Sequence, residues 1–460
     1  MTFGSRASSA VGAVRLLAGL ALVLAVALAP RAGAASGSIS LVVDTDLGND
    51  DIVALAFLTG RSEVDLRAVT VSGTGLATCP GGARRAAKIL RALGHPDVPV
   101  ACGRDLPLAG FNSFPVEWRA AADRLGASLP ASPTAVSRLS APDLLADAVV
   151  RSLGRDTLLT LGPLTNVAEA LRRHPSLRGE IALIVTMGGA VDVPGNVGRG
   201  HERAEFNIWV DPRAAKEVLA SGIPITFVPL DATNDVPVDA LLAREIDLRR
   251  GAAARLASEA LDGLGPGTYY WDPLAAATLV DPGVVTMRRL RLSVLETGDS
   301  RNGSFRRGTN GVTANVAVSA HPSRFQLLLL RGIARDAGAR IRLPKPAFTI
   351  GAAPGTCTAH AETTKPGAGW VRFRNRTKGQ TVGVLVRLLD GRTIDDLREI
   401  IRTRGPDGGP PSWVELATFT SAAPGRDAWG EAKTRAGRYA VACFTEAGVG
   451  RVAPSTFELG

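Results

Sequence analysis

Residues 41–55 read LVVDTDLGNDDIVAL, and five acidic or amide side chains fall within eight positions there: Asp44, Asp46, Asn49, Asp50 and Asp51. An apolar run ends on Asp44. Gly48 opens a turn, and Ile52, Val53, Leu55, Ala56 and Leu58 follow with helical character. The carboxylates are therefore expected at the C-terminal end of a first strand, where open α/β sheets place their ligands. So many carboxylates do not converge uncompensated, because like charges repel and desolvation penalises each of them. A hard divalent cation held by oxygen atoms, Ca²⁺ or Mg²⁺, is the partner this chemistry asks for.

Four later segments have the same flavour. Gly162-Pro163-Leu164-Thr165-Asn166 follows a strand-like run ending at Leu161 and turns into a helix, exposing backbone carbonyls at the sheet edge. Met187-Gly188-Gly189-Ala190 is a second strand end, with glycines that let the backbone approach another group closely. Asn196 and the stretch Ala204-Glu205-Phe206-Asn207 set polar groups beside Phe206, Ile208 and Trp209, which suits a hydroxylated ligand. Tyr269-Tyr270-Trp271-Asp272 holds one carboxylate in an aromatic cluster ahead of a helical run.

Taken together, these segments resemble the inosine–uridine-preferring nucleoside hydrolase family. That family opens on a motif close to DxDPGxDDxxAL, which stands here as residues 44–55 with Leu47 in the place of Pro. GPLTN at 162–166, MGGA at 187–190, GN at 195–196 and AEFNIWVDPRAA at 204–215 follow in the family's order, so the resemblance spans about residues 38–335. It implies a catalytic Ca²⁺ held by Asp46, Asp51, the main-chain carbonyl of Thr165, and Asp272. It further implies that Asp50 and Asn207 hydrogen-bond the ribose 2′- and 3′-hydroxyls, and that Asn196 and Glu205 hold the 5′ side. Cleavage of an N-glycosidic bond passes through an oxocarbenium-like state that nearby carboxylates stabilise, and Asp46 is the expected base toward water.

Beyond Leu47, two positions depart from the pattern. Many relatives carry His immediately before the last metal-binding Asp, as the acid for the leaving base; here that residue is Trp271. Trp271 either stacks on a purine, with Tyr269, Tyr270 or His201 assisting protonation, or packs in the core. Gly73-Thr74-Gly75 stands where relatives have Gly-Asn. Phe114-Pro-Val-Glu-Trp118-Arg119 resembles a segment of secreted plant and bacterial members, and Trp118 is a candidate for the cleft wall.

The elements that position these residues follow from periodicity. Strand-like runs at 40–43, 66–72, 157–161, 181–187 and 225–229 alternate with helical patterns, which argues for an open, mostly parallel sheet with helices on both faces. Near residue 340 the composition shifts. Residues 341–356 read as a Pro/Gly-rich linker, and 357–460 follow a period of two around Trp370–Phe373, Thr381–Val386 and Tyr439–Phe444, as in a small all-β sandwich. Asp395–Ile401 reads as one inserted helix. Residues 1–36, with Arg6 and Arg15, an apolar run and Ala32-Gly33-Ala34, have the form of a secretory signal peptide cleaved after Ala34.

The 460 residues leave room for two domains, 37–340 and 357–460. The net charge of +10 comes from scattered arginines without a basic stripe interleaved with aromatics, so nucleic-acid binding is not expected. Past the leader no run is long and apolar enough for membrane insertion, and an extracellular protein is expected. Cys79, Cys102, Cys357 and Cys443 allow three pairings, of which pairing within each region respects the domain boundary. The resemblance implies a small-molecule nucleoside substrate and a homo-oligomer. Two other classes remain open: Asp44-Thr-Asp46 alone also fits a haloacid-dehalogenase phosphohydrolase, although Asp50-Asp51 and the AEFN stretch do not, and Trp271 also suits a nucleoside- or ribose-binding protein without turnover.

Overall fold

The computed structural model describes residues 38–126, 129–130, 136–152, 156–264, 267–404, 410–445 and 450–460; the leader-like segment lies outside the described residues. The strands of the first region are β1 (Ile39–Thr45), β2 (Val64–Val71), β3 (Val100–Cys102), β4 (Thr157–Thr160), β5 (Leu183–Met187), β6 (Ile225–Val228), β7 (Val285–Val294), β8 (Phe305–Arg307) and β9 (Val312–Ala320). They form one sheet in the order β3-β2-β1-β4-β5-β6-β9-β7-β8. From β3 through β9 in that order neighbours run parallel, while β7 is antiparallel to both β9 and β8.

The parallel strands are apolar on both faces because helices cover both. Leu41 and Val43 of β1 join Val69, Leu159 and Val185 in one core, and Val42 between them joins Ala68, Leu158 and Ile184 in the other. The antiparallel edge obeys a different rule. Leu290, Leu292 and Val294 are buried while Arg288, Arg289 and Arg291 are exposed. That arginine-rich alternation hides the strand from a search for apolar runs.

The helices that matter for the site are α1 (Asn49–Leu58), α2 (Thr165–Arg173), α3 (Phe206–Val210), α4 (Ala240–Asp247), α5 (Ala252–Asp262) and α6 (Trp271–Val280). All of α1 after Asn49 is buried, as a helix apolar around its whole circumference must be. It packs between α5 and α6, and Asn49 Nδ2 donates to the Ala260 carbonyl at 2.6 Å.

The C-terminal region has two facing sheets. β10 (Phe348–Ala353), β11 (Thr356–Ala361), β12 (Gly367–Asn375) and β15 (Asp427–Thr434) form one in the order β11-β10-β12-β15. β13 (Thr381–Leu388), β14 (Val414–Ala422), β16 (Gly437–Thr445) and β17 (Gly450–Val452) form the other in the order β14-β13-β16-β17, with β18 (Phe457–Leu459) also on β16. Helix α7 (Ile394–Arg404) is the inserted helix. The expected linker 341–356 needs correction, since β10 starts at Phe348 and turns Phe348, Ile350 and Ala352 into the sandwich core. Its glycine and alanines gave the strand a loop-like composition.

Both disulfides join cysteines of the same region. Cys79–Cys102 ties the approach to the helix at 81–92 to the end of β3, and Cys357–Cys443 crosses between the two sheets, with Cα atoms 5.8 and 5.7 Å apart. Helix α4 lies against β15, and the Arg244 guanidinium sits 5.1 Å from the centre of the Trp370 ring. Among the described residues no helix is long and apolar enough to cross a membrane.

If β10 is a core strand, Ile350→Ala should cost about 2–5 kcal/mol, read by calorimetry as a lower unfolding temperature. An unchanged unfolding profile would place Ile350 outside a packed core.

Candidate active site

The strand order reverses at β1, which has β2 on one side and β4 on the other. Such a switch point leaves a crevice at the carboxyl ends of the strands. Asp46 follows β1 at this edge, and Leu161 follows β4. Asp50 and Asp51 occupy the first turn of α1, where the helix N-terminus favours negative charge. Asp272 occupies the first turn of α6.

These pieces line one cavity of about 580 Å³. Its floor holds Asp46, Asp50, Asp51 and Asp272, and each is at most 8 % exposed. Carboxylate oxygens of Asp50, Asp51 and Asp272 all lie within 4.8 Å of one another, the span of a single Ca²⁺ shell. Asp46 shares a hydrogen bond with Asp51, and so does Asp272. The tight trio thus includes Asp50, the residue expected on the sugar, while Asp46 joins the trio through Asp51.

Local structure explains the crowding. The Gly48 N–H donates to Asp51 Oδ2 at 2.9 Å, and the Thr45 hydroxyl donates to the other oxygen. The Leu76 N–H reaches Asp46 Oδ2 at 3.2 Å. A Cβ on Gly75 would fall 2.2 Å from the Asp46 Cβ, and one on Gly162 would fall 2.7 Å from it, so both positions must stay bare. Leu47, buried between Asp46 and Gly48, has φ of +60°, a left-handed conformation that proline's ring forbids and that costs a leucine roughly 1–2 kcal/mol. Its N–H donates to the Thr45 hydroxyl at 2.9 Å. The departure from the family's Pro therefore goes with a local geometry that proline would not permit.

Burial first, and neighbouring negative charge second, hold the acids above their ordinary range. Asp46 and Asp272 are raised well above it, and Asp50 is pushed up to about 7. Asp51 is also raised by burial, though its hydrogen bonds to Asp272, Thr45 and Gly48 oppose the shift. No Lys, Arg or His is among the described lining residues. Carboxylates this close, without a basic side chain, stay together by sharing protons or by sharing a cation. The donor set therefore fits a hard divalent ion.

Above the floor the polar groups are oriented by their own hydrogen bonds. Glu205 caps α3, with its two oxygens taking the N–H groups of Asn207, Ile208 and Gly189 at 2.9, 3.2 and 2.8 Å. Asn207 donates its side-chain amide to the carbonyls of Leu161 and Met187 at 3.1 and 3.4 Å, which turns its Oδ1 toward acceptor duty. Asn196 Oδ1 accepts from the Phe206 N–H at 3.1 Å, leaving its NH₂ as a donor. The walls are aromatic. Phe114 stacks on Phe206 with ring centres 4.8 Å apart, Trp118 packs 5.3 Å from Phe206, and Tyr269 and Trp271 lie 5.7 Å from each other. All five line the cavity.

Several expected residues lie elsewhere. Thr165 begins α2, and its hydroxyl donates to Asp211 at 2.8 Å and meets Thr74 at 3.1 Å. It does not line the cavity. As the first residue of a helix its carbonyl is committed to the helical ladder. Leu161 lines the cavity instead, and its carbonyl already meets Asn207 there. Sequence reasoning missed this because it looked inside the GPLTN turn and not at the strand residue before it. Thr74 belongs to a buried hydroxyl chain with Ser72. Asp44 faces away from the cavity and accepts from Thr70 and Asn166 at 2.6 and 2.7 Å. Tyr270 is fully buried against Phe325 in the core, and His201 packs on Trp209, off the lining.

An open α/β sheet whose switch point carries a carboxylate floor, a polar shelf for hydroxyls and aromatic walls defines a hydrolase-type site for a small sugar-bearing ligand. The chain belongs to the inosine-uridine preferring nucleoside hydrolase family, which residues 41–326 match. Members of this family are metal-dependent N-glycosyl hydrolases that cleave ribonucleosides. The chain is 33% identical over 262 residues to the pyrimidine-specific ribonucleoside hydrolase RihA of Klebsiella pneumoniae, covering 54% of this chain and 82% of that one. Among solved structures, the inosine-uridine preferring nucleoside hydrolase of Bacillus anthracis superimposes with a TM-score of 0.60 at 25% identity, over 65% of this chain and 99% of its own. The purine-preferring ribonucleoside hydrolase of Gardnerella vaginalis gives 0.57 at 30% identity, over 64% and 98%.

Two measurements probe this geometry. Gly75→Ala displaces Asp46 and should weaken divalent-cation binding by about tenfold or more, as lost support of a metal ligand does, measured by calorimetric titration. The second concerns pH. Acids with raised pKa favour folding while protonated, so in the metal-free protein their stabilising contribution should be complete below about pH 4 and be lost as pH rises toward the value of about 7 for Asp50. A divalent cation needs the ionised forms, so the gap in melting temperature between cation-loaded and chelated protein should widen from about pH 5 to about pH 8. A gap independent of pH would disconnect these acids from the ion.

Proposed function

We propose that this protein is a Ca²⁺-dependent ribonucleoside hydrolase that accepts purine nucleosides and acts outside the cell. The observation that carries the reading is the carboxylate floor, which is buried beneath aromatic walls and lacks a basic side chain among its described lining residues. Asp50, Asp51, Asp272, the neighbouring Asp46 and the Leu161 carbonyl are the groups placed to hold the ion. When bound, Ca²⁺ supplies a fixed positive charge that anchors ribose hydroxyls and makes water easier to deprotonate.

The remaining chemistry belongs to the chain. Asp46 takes the proton from the attacking water. Asp50 and Asn207 Oδ1 receive the 2′- and 3′-hydroxyls. Asn196 donates to the 5′ side and Glu205 accepts there. Held this way, the sugar presents C1′ to water, and the negative floor stabilises the positive charge that grows as the C1′–N bond breaks. The base lies between Trp271 and the wall formed by Phe206 and Trp118. On that side the described lining residues include the hydroxyls of Thr268 and Tyr269 and no histidine, so departure of the base relies on stacking, solvent and a hydroxyl donor and not on a histidine. The leader-type sequence and the two disulfides support an oxidising, extracellular setting.

Purified protein incubated with a nucleoside panel, with and without a chelator, should release reducing sugar only when Ca²⁺ is present. Asp46→Ala should lower kcat about 10²–10⁴-fold; full activity in that variant would remove Asp46 from the role of base. Trp271→Ala should cost roughly 1–3 kcal/mol in kcat/KM with inosine or guanosine and less with uridine, and equal losses would argue against stacking. Because Trp271 replaces the usual His, nucleoside binding without ribose release would identify a binding protein built on the same pocket.

A further inference from the structure

The stretch 72–77 runs beside the end of β1 and meets Asp46 at several points. The Ser72 N–H donates to the Thr45 carbonyl at 2.8 Å, the Ala77 N–H to the Asp46 carbonyl at 2.8 Å, and the Leu76 N–H to the Asp46 carboxylate. Gly75 lies so close to the Asp46 side chain that a Cβ there would overlap it. Where Asp46 sits therefore depends on where this stretch sits.

Three successive carbonyls of the stretch are taken by one side chain, Arg119. Its Nη2 donates to the Gly73 carbonyl at 2.9 Å, and its Nη1 donates to the Thr74 carbonyl at 3.2 Å and to that of Gly75. A planar guanidinium, with five N–H donors in a fixed fork, can serve adjacent carbonyls at once. Arg119 itself does not line the nucleoside cavity. The helix that carries it, Val116–Ala122, also supplies Trp118 of the aromatic wall. The far end of that helix is tied to the same stretch, because Asp123 accepts from the Thr78 N–H at 3.0 Å, from the Thr78 hydroxyl at 2.7 Å and from Arg85 at 2.6 Å.

Resting on the nucleoside hydrolase reading, we propose that Arg119 is a positioning residue for Asp46: it clamps the 73–75 turn against the acidic floor and thereby sets cation affinity and the aim of Asp46 at water. Glycine brings the greatest backbone freedom, so a Gly-Thr-Gly turn needs an anchor outside itself. Its single side chain, Thr74, is engaged with the Ser72 and Thr165 hydroxyls. Its carbonyls are the groups left for an anchor to hold, and Arg119 holds all three. The turn that departs from the family's Gly-Asn and the segment ending in Trp118-Arg119 thus form one unit.

The test uses the full chain. Binding of Ca²⁺ alone is followed by calorimetric titration, and turnover is followed with a nucleoside that the parent chain cleaves. Arg119→Met keeps the apolar stem and removes the donors. It should weaken Ca²⁺ binding about 10–100-fold and lower kcat at saturating Ca²⁺ by about tenfold or more. Arg119→Lys returns the charge without the planar fork, and should bind Ca²⁺ more tightly than Arg119→Met but at least about threefold more weakly than the parent. Asp123→Asn, at the other end of the same helix, should lower the melting temperature and leave Ca²⁺ affinity within about twofold of the parent. Parent-like Ca²⁺ affinity in Arg119→Met, or in Arg119→Lys where Arg119→Met does not fold, overturns this inference and leaves the hydrolase reading standing. So does a loss in Asp123→Asn equal to that in Arg119→Met, which would mark general docking of the helix. A parent chain that neither binds Ca²⁺ nor releases ribose overturns both.

Discussion

Four carboxylates packed into a buried floor without a basic side chain on its described lining repel one another, and the surrounding structure is arranged to bear that repulsion. The N-terminus of α1 faces two of them, and backbone N–H groups from Gly48 and Leu76 fix individual oxygens. Gly75 and Gly162 stay bare so that Asp46 fits between them. Leu47 accepts a left-handed backbone to turn the chain from β1 into α1 within three residues. Each of these features is costly or neutral by itself and makes sense as part of a cradle for positive charge.

The polar shelf and the aromatic walls divide the recognition task. Glu205 and Asn207 are immobilised by backbone partners, so in the proposed role they would present fixed acceptors to a sugar and lose little freedom when it binds. Aromatic faces are less selective, since every nucleobase has a π surface. Relatives described as pyrimidine-specific and as purine-preferring both resemble this chain, which accords with base choice residing in the walls while the floor is shared. Trp271 belongs to both parts, because it begins the helix whose next residue is Asp272.

Much of this arrangement was legible in the sequence where a residue type and a strand end coincide. Asp46, Asp50, Asp51 and Asp272 were found because acids beside apolar runs are rare, and Asn196, Glu205 and Asn207 because the order of motifs is specific. Side-chain direction was not legible. Asp44, two residues before Asp46 on an alternating strand, faces Thr70 and Asn166 instead of the cavity. The carbonyl of Leu161 carries no side-chain signal, so Thr165 drew attention that the strand end merited. His201 and Tyr270 have the right chemistry, but tertiary packing directs them to Trp209 and Phe325. In the sandwich, β10 was hidden by small residues, and in the catalytic region the grip of Arg119 on the carbonyls of 73–75 joins positions whose proximity no local pattern encodes.

The floor draws its members from distant parts of the chain: Asp50 and Asp272 are 222 residues apart. The first motif lacks a complete set of oxygens until α6 docks against α1. Affinity for a cation is then thermodynamically tied to that docking. A chain that traps the ion has, by that act, certified that its distant halves have met correctly.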